Sequence, residues 1–408
     1  MARKSIYLPG PGADSTQPNL VPDAALRGDY LFTGGVAGYS ADGTLSDSPE
    51  TQAERVYDRI AAILKTANFT KDDIGHWFVW SPVRLSNIKA VNPKWAEWFP
   101  TENDRPARHA LARELDPNMA YRIEIIGVKN VHRRSFEIKG PYHTGGSGIA
   151  HFMPFGTTMG DVLFTGPTYG MDVEMTALGQ TALEQAQLCE ARNQDLYDLT
   201  GHSSDNIAQM FVWFNEDGAS REVAVKYTDV LFPDKGDRPA IHYIDAKLPG
   251  GNFISGQLAS GRTATEEEDK GKNWQFLIQY DIILVGNAKR RVISVPGVEV
   301  MDGASGVPAG VVAGNLCFTS VILGGRGSLE AQTGKAFSDA RAVIEAGGFD
   351  AADIGHAYVW YHDHSARDTV DRVWAKQFPN ADERPARHSL SGRLPEGALV
   401  GVELTAAR

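Results

Sequence analysis

Apolar and polar positions along the 408 residues of this chain fall into one pattern that recurs three times. Each recurrence opens on a short apolar run ending in Thr and small residues: YLFTGG (Tyr30–Gly35), VLFTGP (Val162–Pro167) and LCFTSV (Leu316–Val321). A helical period follows. In the first copy Val56, Ile60, Ile63 and Leu64 share a stripe, and in the last Ala336, Ala340, Val343 and Ile344 do. Pro49 and Glu50 suit a first helical turn, and Gly347 with Gly348 suits a stop. Next comes a strand-like block, IGHWFVWS (Ile74–Ser81), IAQMFVWF (Ile207–Phe214) and IGHAYVWY (Ile354–Tyr361). A second helical stretch ends in Phe-Pro and leads into DRPARHAL (Asp104–Leu111), DRPAIHYI (Asp237–Ile244) and ERPARHSL (Glu383–Leu390). Every copy closes on another apolar strand: Tyr121–Val128, Phe276–Val285 and Leu399–Ala406. The unit reads strand, helix, strand, helix, strand, strand, which predicts an α+β sandwich with its helices on one face of a mixed sheet.

The recurrence predicts domains at 1–130, 131–289 and 290–408, with the polar runs KNVHRR and NAKRR at the joins. The middle copy carries an insertion over 249–273, whose EEEDKGK run reads as a solvated loop. Apolar residues at 42% and charged residues at 22% allow each third to bury its own core. A net charge of −11 repels phosphate backbones and anionic membranes, so neither a nucleic-acid partner nor a membrane partner is expected. The start, MARKSIYLP, lacks an apolar h-region, and no run approaches the roughly 18 apolar residues of a membrane helix. A cytoplasmic protein is the expectation. Cys189 and Cys317 lie in dissimilar contexts, which excludes a disulfide framework.

The R-P-A-R motif, the helix ending in Phe-Pro just before it, the Leu-Pro turn and the closing strand resemble the RidA/YjgF family of enamine and imine deaminases. The resemblance covers all three copies. It implies three tandem β-α-β-α-β-β domains of chorismate-mutase-like fold, closed into an intramolecular pseudo-trimer with a cleft between each adjacent pair. In the family the second Arg of the motif holds the substrate carboxylate, as its planar fork suits. Arg108 and Arg387 hold that position, and Ile241 replaces it in the middle copy. The first acid of the family's closing strand positions or activates water; Arg122, Gln279 and Gly401 stand there instead. The second acid is retained as Glu124, Asp281 and Glu403, two residues on and on the same strand face. Gly34, Gly35, Gly166 and Ser320 match the place where backbone amides meet the carboxylate. The stretch PYHTGGSGIAHF lacks the Lys of a P-loop. It reads as a cleft-lining loop, with His151 and Phe152 nearest the family's aromatic position.

Bland roles compete for several of these residues. His109, His242 and His388 directly follow the motif position, so they point to the opposite strand face, which favours core hydrogen bonding over acid–base work. Glu124 and Glu403 are also candidate ion-pair partners for the motif arginines. Arg105, Arg238 and Arg384 persist where the second Arg is lost, which points to an interface ion pair. Trp80, Trp213 and Trp360 read as core. His362, Asp363 and His364 have no further ligand at a recognisable spacing, so no metal site is expected. The functional expectation is a cofactor-independent hydrolase or deaminase acting on a C–N bond of a small carboxylated metabolite. Arg108, Arg387, Gly34, Gly35, Ser320 and Phe152 would bind the substrate, and Glu124 and Glu403 would handle water or protons. The alternatives are a non-catalytic metabolite-binding or regulatory protein, or chorismatase-like hydrolysis; a ribonuclease role is disfavoured by the charge. The expected partner is a small-molecule carboxylate, and the expected assembly is a monomeric pseudo-trimer, open to further homodimerisation.

Overall fold

The computed structural model describes residues 3–10, 14, 15, 17, 19–82, 84–138, 153–172, 177–248, 275–286 and 289–408. The first repeat runs β1 (Lys4–Ile6), β2 (Ala24–Arg27), β3 (Tyr30–Thr33), α1 (Pro49–Ala67), β4 (Ile74–Ser81), α2 (Arg84–Trp98), β5 (Ala107–Ala112) and β6 (Arg122–Val128). The second runs β7 (Arg133–Phe136), β8 (Gly156–Met159), β9 (Val162–Thr165), β10 (Thr168–Tyr169), α3 (Ala182–Thr200), β11 (Ile207–Asn215), α4 (Gly218–Leu231), β12 (Ala240–Ala246) and β13 (Ile278–Val285). The third runs β14 (Arg291–Ile293), β15 (Glu299–Val300), β16 (Gly310–Ala313), β17 (Leu316–Thr319), β18 (Ile322–Leu323), α5 (Leu329–Ala346), β19 (Ile354–Tyr361), α6 (Arg367–Gln377), β20 (Ala386–Ser391) and β21 (Val400–Ala407). The insertion at 249–273 lies outside the described residues.

Each repeat has at least two strands more than its sequence pattern suggests, and in each at least two of them precede the apolar opening run. One extra strand makes a hairpin with that run: β2 with β3, β8 with β9, and β16 with β17. The turns are Gly28-Asp29, Gly160-Asp161 and Gly314-Asn315, with the glycines at φ of 58°, 59° and 56°. Glycine enters that left-handed region without a Cβ penalty, and a two-residue Gly-Asp or Gly-Asn loop is a recognisable hairpin signal. The other extra strands, β7 and β14, fall within or next to the polar runs taken as joins. At three or four residues they are too short to show a period-2 alternation.

Within each sheet, the long strand of the I-x-x-x-[FY]-V-W block pairs in parallel with the R-P-A strand and antiparallel with the closing strand. Its alternate residues serve two cores. Trp77 and Val79 pack with Val56, Ile60 and Ile63 of α1 and with Val91 and Trp95 of α2. Phe78 and Trp80 point the other way and join Phe211, Trp213 and Trp360 of the other repeats in one shared cluster. Trp80 and Trp213 meet edge to face at 5.7 Å. The sheets are therefore buried on both faces, which explains strands without polar alternation. Where the sheets converge, a cavity of about 30 Å³ is lined by His76, Gln209, His356, Phe78, Phe211 and Tyr358, room for one or two waters.

The repeats close a cycle through one arginine each. Arg133 donates to Lys71 O (2.7 Å), Ile74 O (2.9 Å) and Asp104 O (2.7 Å) of the first repeat. Arg290 donates to Asp237 O (2.9 Å) and Ser204 O (2.5 Å) of the second. Arg3 donates to Ala351 O (2.8 Å) and Ile354 O (2.7 Å) of the third, and to Glu383 O. Each guanidinium also lies over the Phe of a Phe-Pro helix end, Phe99, Phe232 or Phe378. Arg105, Arg238 and Arg384 hold the other side of that helix end, with Nε donating to the same Phe carbonyl at 2.9, 3.1 and 2.8 Å. This main-chain bond is the contact the three share, and Arg238 also pairs with Asp229 within its own repeat.

Removing one guanidinium strands several buried carbonyls. Arg133→Ala should lower the unfolding free energy by about 3 kcal/mol. Arg134→Ala, one residue on and exposed, should stay within about 0.5 kcal/mol of wild type in the same denaturant titration.

Candidate functional clefts between the repeats

The R-P-A strand alternates its side chains between a helix and the neighbouring repeat. Arg108 lies over Trp95 of α2 at 4.8 Å and donates to Asn92 Oδ1 at 2.9 Å. Arg387 lies over Trp374 of α6 at 5.0 Å and donates to Asp371 Oδ1 at 2.5 Å. In both copies the helix partner precedes the arginine by 16 residues. Comparing the copies residue by residue would have exposed that spacing in the sequence.

The next residue of the motif faces the neighbouring repeat. His109 Nδ1 meets Asp281 Oδ2 at 2.9 Å, His242 Nδ1 meets Glu403 Oε1 at 2.7 Å, and His388 Nδ1 meets Glu124 Oε1. Each histidine thus takes its carboxylate from the following repeat in the cycle. Glu124 also accepts from Tyr358 Oη (2.5 Å), and Glu403 from Trp360 Nε1 (2.6 Å). Burial, helped by Arg122, pushes His388 down to about 3, so its imidazole is neutral beside the Glu124 carboxylate. Glu124 and Glu403 therefore accept from Tyr358 and Trp360 and lie against imidazoles of the neighbouring repeat, and neither is an ion-pair partner of Arg108 or Arg387.

The glycines are explained by the same close approach. A Cβ on Gly34 would stand 2.5 Å from Arg387 O, and one on Gly35 would stand 2.6 Å from His388 Nε2. Three of the amides expected to meet a substrate carboxylate are committed elsewhere. Gly34 N–H donates to Asp23 O (2.9 Å), Gly166 N–H to Phe155 O (2.8 Å) and Ser320 N–H to Ala309 O (3.0 Å). Ser320 keeps a buried hydroxyl without a hydrogen-bond partner among the described residues. Phe152 and His151 lie outside the described residues.

Three clefts result, with three chemistries. Between the third and first repeats, Arg387 already holds a carboxylate. Asp14, 2% exposed, accepts from Arg387 Nε (2.5 Å) and Ser389 Oγ (2.8 Å) at Oδ2, and from Ser389 N–H (2.6 Å) and Arg122 Nη1 (3.4 Å) at Oδ1. Burial alone would raise this carboxyl, but Arg387 and Arg122 outweigh it and hold Asp14 below the ordinary aspartate value. Asp14 sits in a polar stretch with no periodicity, and nothing in its local sequence announces it. Between the second and third repeats, Ile241 is buried with Tyr243 and Val307 in one apolar cluster, and Val300 packs against it. Gly401 replaces the acid there, and a Cβ on it would lie 2.6 Å from Val321. Between the first and second repeats stand Arg108 and Gln279, both buried. Gln279 occupies the position of Arg122, and neither atom of its amide has a hydrogen-bond partner among the described residues.

The family model described as Endoribonuclease L-PSP matches residues 17–129 and 309–408, the first and last repeats. A RutC family protein of Sulfurisphaera tokodaii is 26% identical over 84 residues, 20% of this chain and 66% of that protein. The YjgF gene product of E. coli is 24% identical and superposes over 29% of this chain and 98% of its own, with a TM-score of 0.27. RidA from Psychrobacter sp. PAMC 21119 is 23% identical over 29% of this chain and 99% of its own, also with a TM-score of 0.27. The chain belongs to the Endoribonuclease L-PSP family. No helix among the described residues is long and apolar enough to cross a membrane.

The depressed Asp14 carboxyl carries a sign. Its stabilising contribution is fully present above the ordinary aspartate value of 3.8 and is lost as pH falls through the lower folded-state value. Asp14→Asn should therefore lower Tm at pH 7, and the gap to wild type should shrink as pH falls below about 4. A gap that is constant with pH in a thermal melt series would refute the assignment.

Proposed function

We propose that this protein binds a small carboxylated nitrogen compound in the cleft between its first and second repeats and hydrolyses its C–N bond. The observation that carries the reading is Asp14: the motif arginine of the third repeat binds a carboxylate in its cleft, and Arg108 is the matching residue of the first. Membership of the Endoribonuclease L-PSP family supports an imine or enamine deaminase or an endoribonuclease-like role at family level. The net charge of −11 favours the small molecule over RNA. Arg108 would fix the ligand carboxylate, and so the reacting carbon, by charge-assisted hydrogen bonds. Water adds to the imine carbon, the proton passes to the nitrogen, the C–N bond breaks, and ammonia leaves a carbonyl product. The division into units at 1–130, 131–289 and 290–408 belongs to the same reading, each unit supplying one wall of a cleft.

A second reading, ligand binding without turnover, is favoured by Gln279. An amide stands where proton transfer would use a carboxylate. Hydrolysis of a small α-imino carboxylate decides between the two. Turnover should fall about tenfold to hundredfold in Arg108→Ala. Per folded molecule it should change little in Arg387→Ala, whose guanidinium is occupied by Asp14. Saturable binding without any turnover would leave the non-catalytic reading standing, and full activity in Arg108→Ala would reject the cleft.

A further inference from the structure

Gln279 is fully buried on β13, opposite Trp213 on one side and Tyr169 on the other. Two residues on and on the same strand face, Asp281 reaches His109 of the first repeat, so Gln279 also faces that repeat. Its amide oxygen and nitrogen both lack hydrogen-bond partners among the described residues. A buried amide in that state is unfavourable unless something supplies the missing bonds. The cleft between the third and first repeats shows where this position points. There Arg122, the counterpart of Gln279, and Arg387, the counterpart of Arg108, converge on the two oxygens of the Asp14 carboxylate. Ser389, which supplies two further bonds to Asp14 through its main-chain N–H and its hydroxyl, has Ala110 as its counterpart, so the first cleft lacks that hydroxyl beside Arg108 and Gln279.

We propose that Gln279 determines ligand specificity by reading an uncharged donor–acceptor group adjacent to the carboxylate held by Arg108. This rests on the cleft assignment made above and goes beyond it by naming the second group. A carboxamide side chain offers one acceptor and two donors and no charge. In a fully buried position, an ammonium or a second carboxylate set against it would be desolvated without a counter-charge. A carboxamide, a ureido group or a neutral imine N–H supplies complementary bonds at no such penalty. The cleft therefore takes carboxylates with a neutral polar neighbour, and rejects amino acids and dicarboxylates of the same length.

Three probes of matched length separate these classes: succinamate, succinate and 4-aminobutanoate, each titrated calorimetrically into the full chain. Wild type should bind succinamate at least about tenfold more tightly than either of the others. Gln279→Glu should remove the preference for succinamate and shift it towards 4-aminobutanoate by at least about tenfold. Gln279→Leu, which adds no buried charge and so guards against a misfolded Glu variant, should bring the three affinities to within about threefold of one another. Arg108→Ala should weaken all three probes together. A ranking unchanged in both Gln279 variants, or no saturable succinamate binding to wild type, overturns the inference. If the probes bind and Arg108→Ala has no effect on any of them, the cleft assignment itself has failed.

Discussion

A buried carboxylate on the closing strand of each repeat meets the imidazole of the preceding repeat, and the geometry of the clefts depends on that contact. Three such pairs, Glu124 with His388, Asp281 with His109 and Glu403 with His242, run round the molecule in one direction. Groups of this kind are unfavourable in an apolar interior unless partnered, so each repeat is completed only by its neighbour. The arginines Arg3, Arg133 and Arg290 reinforce the same cycle from outside by donating to main-chain carbonyls. With the histidine of the R-P-A strand turned to the neighbouring repeat, the residue before it lies on the opposite strand face, so the arginine, where it is kept, lies over the Trp of the second helix. The pairing thus sets the place of the motif arginine.

Fusing three copies in one chain frees the clefts to differ while the pairing persists. All three histidines and all three acids are kept, because losing one would leave a buried charge or dipole without its partner. The cleft positions are under no such shared constraint. One cleft is satisfied internally by Asp14 between Arg387 and Arg122. Another has become apolar around Ile241. The remaining one keeps Arg108 on Trp95 and Asn92 and holds an amide, Gln279, where Arg122 stands elsewhere. A symmetric assembly of identical chains could not hold three such chemistries at once.

Much of the fold was legible in the residues themselves. The repeated I-x-x-x-[FY]-V-W block, the Phe-Pro helix end and the R-P-A strand are local, periodic features that report burial directly, and the structure returns them as the long strand, the second helix and its parallel partner. The inward direction of His109, His242 and His388 followed from period-2 alternation alone. What local pattern could not carry were the short strands β7 and β14 and the commitment of the Gly34 and Ser320 amides to nearby carbonyls. The role of Glu124 was equally hidden, because its partner, His388, is the other wall of a cleft.

The sequence by itself determined the triplication, the α+β layering and the inequivalence of the motif arginines, since these depend on residue type and spacing along one copy. Only the tertiary structure decided which groups meet across copies. Asp14 and Arg387 are 373 residues apart and Glu124 and Tyr358 are 234 apart, and no periodicity spans such distances. Whether an arginine in a cleft is available or already bound is a property of the closed ring, because a buried charge takes its partner from whatever the packing brings within hydrogen-bond reach.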